Sequence, residues 1–209
     1  MKWDELTKLL GAAAAAVTAM FALFNSVLSD WVPPTEAMGT PAVTGIASFV
    51  SLVVLLVLVL VMRRRLTLAH RRQIAAAAGA AALAGLAVAF VYYGDLDEHV
   101  FVWPPAASAQ PEEGDPRRHI RGEFNEMGQQ ASRDVGLTAA IREAGGLHKA
   151  MDDQTLWDEA SRKQVERRLV LLYVVMTSLL SGAVFGLALA VMFASPTSAA
   201  AGGSSQSRG

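Results

Sequence analysis

The chain has 209 residues, 53% of them hydrophobic, a formal net charge of -1 and no cysteine, with a mean hydropathy of +0.34. It is too apolar for an ordinary soluble domain of this size, so a membrane protein is the first class to consider. The missing cysteines exclude disulfides, Cys-ligated zinc, iron–sulfur clusters and thiol nucleophiles, and leave the redox compartment open.

Four runs, at about 9–29, 42–62, 74–93 and 169–194, are long enough for a helix to cross a hydrocarbon core of ~30 Å, which takes about 20 apolar residues. The expected class is therefore all-α, an integral membrane protein with about four transmembrane helices. The first run is Ala-rich and is preceded by "MKWDELTK". Its apolar part exceeds the roughly 7 to 15 residues of a cleaved signal peptide, and its flank mixes acids with lysines, so it reads as a retained anchor. Gly11, Ala15 and Ala19 place small residues at four-residue spacing along it, and Thr18, Ala22, Asn25 and Ser29 fall on one helical face.

The second run, "AVTGIASFVSLVVLLVLVLVM", holds no charge and carries a matching polar face at Thr44, Ser48 and Ser51. Two readings of these faces stand side by side. Asn25 and its neighbours are interhelical glue, on the order of 0.6 to 2 kcal/mol in a membrane; or the faces line a pore around a symmetry axis, with Phe21 and Phe24 as hydrophobic constrictions. Next comes the turn "RRRLTLAHRRQ", with Arg63, Arg64, Arg65, Arg71 and Arg72 and no acid. Short basic turns stay in the cytoplasm. Both termini are then cytoplasmic and residues 94–168 lie on the far side of the membrane. Arg162, Lys163, Arg167 and Arg168 before the last run argue the other way, although long segments translocate largely regardless of charge. In an oligomer the five turn arginines of each copy would gather into a collar able to hold anionic lipid, a nucleotide or an oligonucleotide; the plainer reading is an anchor alone.

The third run repeats the small-residue stripe at Ala77, Ala81, Gly85 and Ala89, and ends at Tyr92 and Tyr93. Soon afterwards "FVWPPAASA" echoes the "SDWVPPTEA" that follows the first run. With four spans both echoes fall at one interface, where Trp31 and Trp103 suit the headgroup level and the proline pairs stop helices that have reached water. A true internal duplication is the alternative.

Residues 94–168 carry fifteen acids and ten bases. The first part, 94–116, is rich in Pro and acid and reads as an irregular tether. From residue 117 to 168 a helical module is expected, with Asp134 as an N-cap, Leu137 and Ile141 as apolar positions and Gly145 with Gly146 as a stop. Asp152 and Asp153 can cap a last helix that projects from the membrane, supported by Asp158 with Arg162 and Glu159 with Lys163 at i,i+4. Leu156, Trp157 and Ala160 either pack on the short helices before them or dock a neighbouring subunit. The module is too small to bury much core alone.

The fourth run, "LVLLYVVMTSLLSGAVFGLALAVMFA", contains Ser178, Gly182, Gly186 and Ala190 at four-residue spacing. Such stripes let backbones approach closely, within one subunit or between copies, and their number points to a homo-oligomer. The tail 195–209 reads as disordered.

Chemistry is not in view. His70, His99, His119 and His148 lack metal-ligand spacing, Glu123 and Glu126 at i,i+3 read as a solvated helical face, and no span contains Asp or Glu. No enzyme, cofactor or metal is expected, and a transporter is weakened by the lack of ionisable intramembrane residues. The leading expectation is an oligomeric ion channel or pore in contact with membrane lipid. A non-conducting scaffold, whose extramembrane module binds a protein partner, is the alternative.

The Ala-rich anchor, the four-span layout and the run "LWDEASRKQVERRLVLLYVV" entering the last helix resemble small multi-pass effectors of bacterial antiphage (antiviral defence) systems, such as the channel subunit of Hailong-type systems. The resemblance implies a channel whose opening harms the infected cell, and a gate that answers a nucleotide-derived signal made by a partner enzyme of the same defence operon.

Overall fold

The computed structural model describes residues 3–26, 29–35, 40–62, 71–104, 117–152 and 156–192. Among them the chain forms α1 (Trp3–Ser26), a 3-10 turn (Ser29–Trp31), α2 (Thr40–Met62), α3 (Arg71–His99), β1 (Val100–Trp103), β2 (Arg117–Ile120), α4 (Glu126–Val135), α5 (Leu137–Glu143), α6 (Leu147–Asp152) and α7 (Glu159–Met192). The protein is mostly helical. Among the described residues three helices are long and apolar enough to cross a membrane, over Pro41–Val59, Arg72–His99 and Glu159–Val191. The expected first span coincides with α1, a helix of 24 residues.

In the bundle α7 is the central helix. It packs on α1, α2 and α3, and 44% of its apolar window is buried against 28% for α2 and 22% for α3. Small residues explain how closely α3 and α7 approach. A Cβ added to Gly186 would lie 2.8 Å from the Ala78 Cβ, and one added to Gly85 would lie 2.9 Å from Leu180 Cδ2. The buried side of α3 is Ile74, Ala78, Gly85, Ala89, Tyr92 and Leu96. It is rotated slightly from the expected stripe, leaving Ala77 exposed and Ala81 half-buried. The opposite side presents Leu83, Leu86 and Phe90, the last 83% exposed, as a helix facing hydrocarbon does.

The module departs from the sequence expectation in four places. First, α3 does not stop at Tyr93 but continues to His99, and the supposed tether begins with a strand: β1 pairs antiparallel with β2, Val100 opposite Ile120 and Trp103 opposite Arg117. Alternation over so few residues is too short to be read from sequence. Second, Asp134 lies inside α4 and caps nothing at the start of α5; Gly136, with φ of 80°, occupies that N-cap. Third, Glu123 precedes α4 and shares no helical face with Glu126, because Asn125 is the cap, its side chain accepting from the Gly128 N–H at 2.7 Å. Fourth, α7 begins only at Glu159; Asp152 is the last residue of α6 and does not cap α7, and Asp153 lies outside the described residues. The Gly145 and Gly146 stop is present, with φ of 88° and 99°.

Trp157 organises the module. It is fully buried with Trp103, Ala140, Ile141, Ala150 and Leu156, and the rings of Phe101 and Phe124 stand 6.0 and 6.1 Å from it. Leu156 and Trp157 therefore pack on the short helices, while Ala160 is exposed. The segment before α7 is strapped down by the Asn125 N–H donating to the Leu156 carbonyl at 3.1 Å. Trp103, 8% exposed, belongs to this core and not to a half-wet headgroup belt, a correction that follows from its place on β1.

Candidate functional site

The polar faces expected on the first two spans go different ways. On α1, Val17 and Phe21 are buried in the bundle core of the subunit, Phe21 packing α1 against its neighbours. The other side of α1 exposes Gly11, Ala15, Thr18, Ala19, Ala22 and Ser26, together with one large apolar residue, Leu23. The side chains of Phe24, Asn25 and Ser29 lie outside what the structure describes. On α2, Thr44 and Ser51 are buried and Ser48 is half-buried. The Thr44 hydroxyl donates back to the Pro41 carbonyl at 3.0 Å. The Ser51 and Ser178 hydroxyls lie 3.1 Å apart, either one serving as donor. That bond joins α2 to α7 inside one subunit, and the one hydroxyl uses the capacity of the other without water.

Two further hydroxyls belong to this seam. Thr177, fully buried, donates to the Tyr173 carbonyl at 2.8 Å, and Ser181 is fully buried with no partner for its Oγ. They were legible as the cluster "MTSLLSG", but a stripe read only at four-residue spacing passes over them. Of the stripe itself, Gly186 and Ala190 are buried while Ser178 and Gly182 are half-buried, with Leu55 Cδ2 4.0 Å from a Cβ built on Gly182. The close approaches of α3 and α7 are thus within the subunit.

At one end of the bundle the connection after α1 is tied to α3 and the hairpin. The Tyr92 hydroxyl donates to the Trp31 carbonyl, the Trp31 and Tyr93 rings are 5.5 Å apart, and Arg118 Nη1 donates to the Val32 carbonyl at 3.4 Å. The two echoed segments therefore share an end of the molecule.

Just beyond Tyr92 and Tyr93 a polar clasp joins α3 to α7. Arg168 Nη2 donates to Asp95 Oδ1 at 2.6 Å. Arg121 donates from Nε and Nη2 to the Glu98 carbonyl at 2.8 and 2.6 Å, and its guanidinium lies 4.8 Å from the centroid of the Phe124 ring. Burial draws the Arg121 pKa below its usual value, with Glu98 opposing the shift. Farther along α7 Lys163 pairs with Glu159 at 2.5 Å, as the i,i+4 order anticipated. Nothing in the sequence marked Asp95 as a partner of Arg168, because the pair spans 73 positions and the stop expected at Tyr93 hid it.

Of the turn arginines, Arg63, Arg64 and Arg65 lie outside the described residues, as does the side chain of Arg71; Arg72 is exposed. His70 and the tail also lie outside them. Among the described residues no three His, Asp or Glu side chains are grouped to hold a metal. Compared with protein families, curated proteins and solved structures, the chain finds no match.

Proposed function

We propose that the chain is one subunit of an oligomeric ion channel in a bacterial inner membrane, with α1 as a fourth span turned toward the oligomer axis. One observation carries this reading. Gly11, Ala15, Thr18, Ala22 and Ser26 follow one another at helical spacing and are all exposed on the subunit, while Val17 and Phe21 attach the helix from its other side. A helix surface meant for lipid uses large apolar residues, as α3 does at Leu83, Leu86 and Phe90. Small residues interspersed with hydroxyls suit the close approach of another helix or a wet path.

Thr44 and Ser51, buried inside the subunit, are left out of the proposed lining. The basic turn at 63–72 favours cytoplasmic termini and an external module, and the resemblance to antiphage effectors supplies the setting: a conductance harmful to the cell, opened by a nucleotide-type ligand at the arginine collar.

Ion flux through purified protein in liposomes tests the reading, with wild type compared with Thr18→Leu and Asn25→Leu. Because the chain has no cysteine, Thr18→Cys adds a single thiol as a second probe. Reduced flux in both leucine variants, disulfide cross-linking between copies of Thr18→Cys and block by a water-borne thiol reagent are the expected results. Unchanged flux and no cross-link would remove α1 from the axis. A protein that never conducts, and in which Asn25→Leu only lowers the melting temperature, is the scaffold of the alternative reading, which the Ser51–Ser178 pairing favours as an example of hydroxyls used as glue.

A further inference from the structure

One face of α7 changes its neighbour partway along the helix. Ser178 and Gly182 turn it toward α2, where they meet Ser51 and Leu55. The positions that continue this face toward the module at helical spacing are Val175, Leu171, Arg167 and Gln164. All four are exposed, Leu171 to 63% and Val175 to 38%. A helix long and apolar enough to cross a membrane thus carries an uncovered apolar strip with an arginine at its head. About 6 Å of helix rise separates Arg167 from Leu171. The strip begins near the level of the half-exposed Tyr93, whose ring pairs with that of Trp31, since the neighbouring Tyr92 ring lies 6.0 Å from that of Tyr173. Aromatic rings of this kind mark the headgroup level of a bilayer.

The cations around the strip differ in what they already hold. Lys163 is engaged by Glu159 at 2.5 Å and Arg168 by Asp95 at 2.6 Å, and Arg162 reaches Met151 Sδ at 3.8 Å. Arg167 has no acid partner among the described residues. Its sequence neighbour Glu166 stands about 100° around the helix. We infer that Arg167 holds the phosphate of an anionic phospholipid whose acyl chain lies along Leu171 and Val175. The occupant must be anionic at one end and apolar at the other, in that order along the helix, and a phospholipid has this form. A guanidinium can donate two parallel N–H bonds to a phosphate. A choline headgroup compensates its own phosphate, whereas a glycerol headgroup leaves that charge to the protein, so the site favours the lipid with net negative charge. The site is independent of whether the protein conducts. It also gives the basic run before α7 a role that does not reverse the topology.

The full-length protein is placed in nanodiscs of phosphatidylcholine with a minor fraction of phosphatidylglycerol and released into a mild detergent, and the lipids it retains are counted by native mass spectrometry. Retention of phosphatidylglycerol in preference to phosphatidylcholine is expected. Arg167→Gln should lower that preference by about fivefold, the effect of one basic side chain at an anionic surface, with an unchanged melting temperature in detergent. Arg167→Lys, which keeps the charge and loses the planar fork, should fall between the two. Arg133→Gln removes the same charge from an exposed position on α4 and should leave retention as in wild type. Equal retention of the two lipids, a preference undiminished in Arg167→Gln, or the same loss in Arg133→Gln would each overturn the proposal. Leu171→Cys, in a chain with no other cysteine, tests the competing occupant: a disulfide between copies in the nanodisc would place a second subunit on the strip and overturn the proposal, and its absence is expected.

Discussion

Along α3, α7 meets its neighbour with glycine and alanine, Gly186 against Ala78 and Gly85 against Leu180; just before α7 begins, the chain meets the module with Trp157 between Phe101 and Phe124. The two contacts solve the same problem in different solvents. In water, removing large rings from solvent is itself the driving force, and an aromatic core is effective even in a small module. Between apolar helices in lipid that force is nearly absent, and association rests on close backbone approach and a few hydrogen bonds such as Ser51 with Ser178. The module is therefore the region vulnerable to losing a large ring, while gaining a side chain is costly in the bundle and, within the module, where Gly128 meets the Leu156 backbone.

Substitutions can break this contrast. Trp157→Ala should cost about 3 to 5 kcal/mol, the usual range for emptying an aromatic core position; limited proteolysis should then cut within 117–158 while the helical signal of the bundle persists, and loss of the two together would show that the regions fold as one unit. Gly128→Ala comes next. A Cβ there would lie 2.1 Å from the Leu156 carbonyl oxygen, a backbone atom unable to swing aside, and about 3 kcal/mol is expected, read as the same proteolytic opening. In the bundle Gly186→Leu should cost about 1 to 3 kcal/mol by forcing α7 away from α3, seen as a lower melting temperature in detergent with the module still protease-resistant. The smallest effect belongs to Ser51→Ala, about 0.6 kcal/mol for one interhelical hydroxyl bond. A double-mutant cycle with Ser178→Ala should recover most of that figure as coupling, and zero coupling would mean the two hydroxyls act separately.

The clasp between Asp95 and Arg168 lies where these two environments meet. It also explains why α3 passes Gly94 without stopping. Glycine inside a helix is unfavourable by roughly 1 kcal/mol, and the ion pair with Arg168 and the burial of Leu96 supply what local propensity lacks.

By itself the sequence determined the membrane class, the long apolar helices, the small-residue character of the α3 and α7 surfaces, the Gly145–Gly146 stop and the Glu159–Lys163 pair. Each rests on local periodicity, on composition or on a spacing of a few residues, and those signals survive in a single chain. Only the tertiary structure decided which small residues meet, that Phe21 and Ser51 face inward while Thr18 faces outward, that Trp103 is a core residue on a strand, and that Asp95 reaches Arg168. These outcomes depend on how helices rotate about their own axes and on which distant segments lie side by side. A rotation of a few tens of degrees, enough to replace Ala77 by Ala78 at the α7 contact, leaves the sequence pattern almost unchanged and alters every partner.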